Sequence, residues 1–547
     1  SIIDLSKHSN QPMVRDGAVL VYNGEIYNYR ELADELSAEG TVFSSAGDTE
    51  VLIQAWNRWG PECLHRFDGM FAFALYHNGS LHLATDPFGE KPLYWARANG
   101  GIYFASEPHP LVDQLHLSPH FSSQDIAAFL SLGYLPAPST GYKNLFRMPP
   151  GTWLTCHPNG RTTVRTYWTP PRPVNHKSPL KALTETELDT ISDALIESLR
   201  LRLRADVPLG IFLSSGVDST LVATLAAKEL HQETLAFTVK FPDQEVADES
   251  ALAATVAQYL GLPHKIVNSE ADPSRTDPSI VFDLFGEAND NLTVASAYQM
   301  SKLAASTLKV ALSGIGGDEL FYGYNKYQLA YKWRHWLGLN ASVRNAISRF
   351  DSPQFPRKWS QLSNLLSASD ACQFIALKNT NVCRWLWTLP QIESWAQELF
   401  SNTDIPIGLL GRHIDLQHTL PATFIPAIER GSMRASLEVR TPFLNRNLLD
   451  VISKMDQRAF LAFGQKSVLH RILRRYVPEK LLSPVKKGFK YPKGEFLTRL
   501  SNKPPQVDGI EPSHIKKVWQ HRHTKDWRGL AVRLVILDHF LNSKQTL

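Results

Sequence analysis

Between residues 206 and 268 short apolar runs alternate with segments whose apolar residues stand at helical spacing. "VPLGIFL" reads as a buried strand, "DSTLVATLAAKEL" as a helix and "TLAFTVKF" as a second strand. "DESALAATVAQYLG" follows as a helix ending at Gly261, and "HKIVNS" as a third strand. Strands joined through helices run parallel, because a parallel pair cannot be closed by a tight turn. The βαβαβ order therefore predicts a doubly wound parallel α/β sheet with helices on both faces. A further strand, "LKVAL", leads into "SGIGGDELFYGY". From about residue 325, Trp, Arg and Leu recur at helical spacing, which predicts a mostly helical remainder of the same domain.

A chain of 547 residues is too long for one such core. The break falls at "TPPRPVNHKSPLKA" (169–182), where prolines and basic residues interrupt the periodic segments. Upstream, "GAVLVYN", "MFAFALYH", "SLHLATD" and "GIYFAS" alternate with Gly, Asn and Asp, which predicts a mostly β domain with a few helices, "NYRELADELSAEG" among them. The expected division is a first domain over 1–168, a linker over 169–188 and a second domain over 189–547. Lys+Arg of 57 against Asp+Glu of 53 is too balanced to argue for a nucleic-acid or membrane surface. Four cysteines without a CxxC pair, no apolar run of membrane-span length and no secretory pattern in "SIIDLSKHSN" point to a cytoplasmic protein. The clustered histidines of 108–120 and 521–523 match no zinc spacing.

Two loops carry the chemistry. "FLSSGVDST" (212–220) joins a strand's carboxyl end to a helix's amino end, where backbone N–H groups and the helix dipole favour an anion. Ser214, Ser215, Ser219 and Thr220 offer hydroxyls, Gly216 allows close backbone approach, and Asp218 is a candidate Mg²⁺ ligand. No GxxxxGK[ST] motif occurs, so this is not the usual triphosphate cradle, and by itself the loop also fits a helix cap. "LSGIGGDELFYGY" (312–324) repeats the pattern at another strand end, with Ser313 and Gly314 in the turn and Asp318 beyond it. Two carboxylates on neighbouring strand ends can share one hard metal, with phosphate completing its shell. Together the loops predict a nucleotide site.

"LSSGVDST" resembles the pyrophosphatase loop of ATP-dependent adenylating amide synthetases, and "LSGIGGDELFYGY" is similar to the second signature of the asparagine synthetase family. "SMRASLEVRTPFLNRNLLDV" and "SPVKKGFKYPKGEFL" resemble two further blocks of that family. "VYNGEIYNYREL", "AGDTEVLIQAW", "FDGMFAFALYH" and "DPFGEKPLYW" look like the class II glutamine amidotransferase domain that precedes the synthetase domain in it. The motifs stand in family order over nearly the whole chain.

The resemblance implies an αββα amidotransferase domain of the N-terminal-nucleophile type, followed by an ATP-pyrophosphatase domain. It implies that glutamine supplies ammonia internally and that ATP and Mg²⁺ activate aspartate as β-aspartyl-AMP for ammonia to attack, in a cytoplasmic enzyme that is compatible with a homodimer. By the same resemblance Asn23 and Gly24 form an oxyanion hole, and Glu25 and Asp48 bind the α-amino group of glutamine. Phe212, Leu213, Val239, Ser313 and Gly314 line the adenine site, and the loop from Ser214 through Ser215, Gly216, Asp218 and Ser219 to Thr220 holds pyrophosphate. Asp218 and Asp318 hold the metal, and Lys486 is the catalytic lysine.

Ser1 aligns with the interior of a family strand, which implies that the sequence begins roughly 50 residues into the domain, beyond the family's nucleophilic cysteine. Five positions depart from the family pattern: Ser215 stands for Gly, Ile315 for Glu, Thr85 for Arg, Glu429 for Asp and Asn445 for Asp. They leave open a different acceptor carboxylate, as in polysaccharide or natural-product assembly, and an ammonia- or amine-dependent synthetase similar to the β-lactam synthetases.

Overall fold

The computed structural model describes residue 3 and residues 7–174, 179–240, 250–269, 279–350, 357–379, 381–389, 391–400, 405–482, 493–500 and 503–542. In chain order the first part contains β1 (Met13–Arg15), β2 (Ala18–Ile26), β3 (Gly69–His77), β4 (Ser80–Thr85), β5 (Tyr94–Ala98), β6 (Gly101–Ala105), β7 (Leu145–Arg147), β8 (Thr152–Cys156) and β9 (Thr162–Thr166). They form a six-stranded sheet, β1-β2-β3-β4-β8-β9, and a three-stranded sheet, β6-β5-β7. All pairs are antiparallel.

The alternation in β3 explains the layering. Phe71 and Phe73 point to one face, where helices Tyr29–Ala38 and Asp48–Trp59 cover them through Leu32, Leu36, Leu52 and Trp56. Ala72 and Ala74 point to the other, against Leu93 and Met148 and beside Trp95 and Phe104 of the smaller sheet. Helix Pro108–Gln114 closes the far side, its Leu111 packing on Tyr94, Ala96 and Leu145. The order helix, sheet, sheet, helix is the expected one.

The second part contains β10 (Leu209–Phe212), β11 (Leu235–Lys240), β12 (His264–Asn268), β13 (Val310–Leu312) and β14 (Glu438–Arg440). They pair in the order β12-β11-β10-β13-β14, every pair parallel. Helices Glu185–Arg202, Val217–Lys228 and Ser250–Leu260 bury Leu195, Leu199, Leu221, Leu225 and Val256 with Ile211 and Ala236. Helices Thr293–Ala304 and Ile425–Arg434 bury Ala297, Ala304 and Ile428 with Phe212, Phe237, Ala311 and Val439. This is the predicted doubly wound sheet. The chain beyond residue 325 is mostly helical, including a π-helix, Asp415–Phe424, with Pro421 inside it. Among the described residues no helix is long and apolar enough to cross a membrane.

The two parts meet where β2 ends. The guanidinium groups of Arg202 and Arg440 both lie over the Tyr27 ring, 4.6 and 5.3 Å from its centroid. Arg204 donates to the Tyr27 carbonyl at 2.7 Å. Buried ion pairs cross the same junction, Lys91 with Glu429 at 2.8 Å and Arg147 with Glu287 at 2.7 Å.

Candidate functional site

In the parallel sheet the chain leaves β10 toward β11 on one side, while β13 pairs with β10 on the other. The crevice outside the carboxyl ends of β10 and β13 is therefore the topological switch point, where open α/β sheets bind ligands. Both loops picked out in the sequence, 213–216 and 313–316, open into it.

Asp218 is in the first turn of helix Val217–Lys228 and Asp318 in the first turn of the short helix Gly317–Leu320. The fold brings both carboxylates onto one cation, the ammonium of Lys466. Its Nζ binds Asp218 Oδ2, and lies 2.7 Å from Asp318 Oδ1. Burial works against the charge on Lys466, but the two aspartates more than offset it and hold its pKa above the ordinary lysine value. Glycines make the cluster this tight. A Cβ on Gly317 would sit 2.7 Å from Asp218 Cγ, and one on Gly314 would sit 2.8 Å from Asp218 Cβ. Glu319, buried and bonded by Tyr324 Oη at 2.6 Å, is pushed up to about 7 by burial and then by the charge of Asp318.

The 214–220 loop is organised around Ser219. Its Oγ accepts from Ser214 N–H at 3.1 Å and lies 2.8 Å from Ser214 Oγ, which accepts from Gly216 N–H at 3.1 Å. Thr220 Oγ1 donates to the Ser214 carbonyl at 3.3 Å. Ser215 does not have a positive φ, so a side chain is tolerated where the family has glycine. Phe212 and Leu213 are buried and Val239 is half-buried beside Phe212. Leu213 is already tied to the sheet, its N–H to the Phe237 carbonyl at 3.0 Å and its carbonyl to Thr238 Oγ1 at 2.7 Å. That carbonyl keeps a second lone pair. Ser313 N–H bonds the Arg440 carbonyl at 2.9 Å.

Asp218 and Asp318 make a two-carboxylate donor set, and among the described residues no group of three or more His, Cys, Asp or Glu could hold a metal. The set fits an ion that takes its remaining ligands from phosphate and water, as Mg²⁺ does. Lys466 was not singled out in the sequence. The signal available was a lysine directly after Gly464-Gln465 and before an amphipathic helix, Ser467–Leu473. Lys486 and most of its block lie outside the described residues, as does Ser1.

In the first part Asn23, Gly24 and Glu25 are consecutive in β2, opposite Ala72, Phe71 and Met70. Gly24 has φ +142, and a Cβ there would meet Phe71 Cα at 2.7 Å, so only glycine fits. Asn23 Nδ2 donates to Ser106 Oγ at 3.3 Å, which orients the amide. Asp48 accepts from Tyr22 Oη at 2.8 Å and from Ile26 N–H at 2.9 Å. Burial pushes Asp48 up to about 6, and burial together with the charge of Asp48 pushes Glu25 well above the carboxylate range. Two buried acids that resist ionising side by side suit a cationic guest, which would let both ionise.

Three of the remaining departures have physical partners. Asn445 caps helix Arg446–Ser453 through Leu448 N–H and donates to Asp68 Oδ2 at 2.7 Å, where an aspartate would repel. Glu429 reaches Lys91 across the junction. Thr85 Oγ1 donates to the Pro149 carbonyl at 2.8 Å. Ile315 packs half-buried against the cluster of Phe212, Ala297 and Ile428.

The family model described as asparagine synthase matches residues 190–508, more than half of the chain, and the one described as glutamine amidotransferase domain matches residues 1–168. The chain is 29% identical over 515 residues to asparagine synthetase (glutamine-hydrolyzing) 1 of Bacillus subtilis, covering 90% of this chain and 79% of that one. It is 25% identical over 522 residues to asparagine synthetase (glutamine-hydrolyzing) 3 of the same organism, with 90% and 79% covered. It is also 31% identical over 354 residues to the amidase chyE of Penicillium rubens, with 60% of this chain and 51% of that one covered. A nucleotide-type crevice at the switch point, joined through a buried junction to an amidotransferase sandwich, accords with those matches: the chain belongs to the asparagine synthase family of carbon–nitrogen ligases.

Proposed function

We propose that the chain converts aspartate, ATP and glutamine or ammonia into asparagine, AMP and pyrophosphate through β-aspartyl-AMP. The observation that carries this reading is the convergence of Asp218, Asp318 and Lys466 at the switch point. ATP lies with its base against Phe212, Leu213 and Val239, near Ser313 and Gly314, and its β- and γ-phosphates over the loop from Ser214 to Thr220. Lys466 turns from the aspartates to a phosphate oxygen, and Asp218 and Asp318 would hold Mg²⁺, which would supply positive charge to the pyrophosphate leaving group. The β-carboxylate oxygen of aspartate attacks the α-phosphorus, and the bond from that phosphorus to the bridging oxygen breaks with pyrophosphate leaving. Ammonia then attacks the acyl carbon, loses a proton, and AMP departs. Lys486 stabilises charge at the phosphorus or at the tetrahedral carbon. Glutamine sits with its α-ammonium group between Glu25 and Asp48 and its side-chain carbonyl toward Asn23 Nδ2 and Gly24 N–H.

A second acceptor is favoured by one feature, the apolar side chain of Ile315 beside Ser313 and Gly314, which suits a carboxylate carried on a less polar body than aspartate. Pyrophosphate release with MgATP separates the two. Release that depends on aspartate, with asparagine formed when ammonium is added, is expected. Release with other carboxylates and none with aspartate would transfer the assignment to the second acceptor, and no carboxylate-dependent release at all would overturn both.

A further inference from the structure

Arg440 touches both halves of the molecule at once. It ends β14 and is fully buried. Its carbonyl holds Ser313 N–H at 2.9 Å, at the head of the loop that carries Gly314 to Asp318. Its side chain runs the other way: Nε donates to Glu438 Oε1 at 2.7 Å, and Nη1 to the carbonyls of Arg202 at 2.9 Å and Arg204 at 2.5 Å. Among the described residues Nη2 has no hydrogen-bond partner, and it lies 4.0 Å from Glu25 Oε1. The other carboxyl oxygen of Glu25, Oε2, is also buried and has no donor among the described residues. Buried polar atoms are nearly always satisfied, so a guanidinium N–H without a bond, 4.0 Å from a buried carboxyl group, calls for a reason.

We infer that Arg440 is a positioning residue that couples occupancy of the glutamine site to the setting of the ATP loop. This role rests on the reading of Glu25 and Asp48 as the holders of the glutamine α-ammonium group. That cation fixes Glu25 in its ionised form, and an ionised Glu25 draws Nη2 across the 4.0 Å gap. The guanidinium is stacked on Tyr27 and anchored by Glu438, so the movement passes to the backbone of β14 and to the hydrogen bond with Ser313. Burial and the neighbouring charge of Asp48 raise the Glu25 carboxyl well above its ordinary value, which works against its ionisation while no cation is beside it. Coupling between two binding sites is reciprocal, so ATP must change glutamine affinity by the factor with which glutamine changes ATP affinity.

The test titrates the full chain with α,β-methylene-ATP and Mg²⁺, with and without saturating glutamine, and then in the reverse order. Each ligand should tighten the other by one shared factor, on the order of fivefold or more. Arg440→Lys keeps the buried charge but cannot reach Glu438, the Arg202 and Arg204 carbonyls and Glu25 together, so the factor should fall to near one. A purely structural Arg440 would weaken both affinities and leave their ratio alone. A factor of one in the wild type, or an unchanged factor in Arg440→Lys, overturns the inference. If that variant does not fold, Glu438→Gln, which loosens the Nε anchor without touching the Ser313 hydrogen bond, is judged by the same ratio. Glutamine that fails to bind the wild type overturns the glutamine-site reading and this coupling with it, whereas glutamine that binds without altering ATP affinity overturns the coupling alone.

Discussion

Lys466 has φ +51, a left-handed backbone that a long side chain rarely adopts and that Gly or Asn adopts at little cost. The strain is consistent with a side chain held for what its end does, and that end lies between Asp218 and Asp318. Lys466→Asn separates the two contributions, since asparagine relieves the backbone while removing the charge. We expect the variant to fold and its pyrophosphate release to fall by roughly a hundredfold or more, the usual loss when a charge-stabilising donor is removed. On the proposed reading that the two aspartates hold Mg²⁺, removing the competing ammonium should bring half-saturation by Mg²⁺ to a lower concentration. Near-normal turnover would exclude Lys466 from the phosphate chemistry, and weaker Mg²⁺ dependence would exclude the two aspartates as its ligands.

At the scale of elements, the turns between strand and helix decide the site, and two glycines illustrate two costs. In β10, a Cβ on Gly210 would meet Leu308 Cδ1 at 2.6 Å and the Leu235 carbonyl at 2.8 Å, a clash inside the sheet that threatens the fold. Gly317 has no positive φ, and the Cβ of an alanine there would meet the carboxyl group of Asp218 at 2.7 Å. Gly317→Ala should therefore cut pyrophosphate release by roughly tenfold or more while the melting temperature stays within a few degrees, as for a substitution that displaces a loop side chain and leaves the core intact. A large drop in melting temperature would mean that the glycine serves packing instead. These elements were legible in the sequence because strands, helices and the loops between them are local patterns, with periods of about 2 and 3.6 residues broken by Gly and Ser. Lys466 was not legible: it reaches Asp218 across 248 residues of sequence, and no local period reports such a contact. Nor was the π-helix Asp415–Phe424, since Pro421 inside it signals a broken α-helix.

The whole molecule depends on a junction built from buried charge, which makes its stability a function of pH. Glu90 lies in the turn between β4 and β5, almost fully buried, and is bonded by Thr441 Oγ1 of the second part. Burial and then the charge of Asp86 push its carboxyl up to about 8. In the unfolded chain a glutamate titrates near 4.3, as for any exposed carboxyl. The folded state thus keeps a proton that the unfolded state releases, so this contribution is complete below about pH 4 and is lost as pH rises through about 8. Glu90→Gln keeps an acceptor for Thr441 and cannot titrate. Its stability relative to the wild type should therefore grow between about pH 5 and about pH 8.5, with the variant the more resistant to heat at the alkaline end. Parallel melting profiles across that range would show that Glu90 is not the proton-holding group of the junction. The Lys91–Glu429 pair responds in the opposite sense to removal, because Lys91→Met strips the counter-ion from a buried carboxylate and should cost about 3 to 5 kcal/mol at neutral pH. The junction therefore tolerates loss of a proton-binding acid at Glu90 but not loss of a cation one residue later, a contrast that equilibrium melts of the two variants at a single neutral pH would reveal.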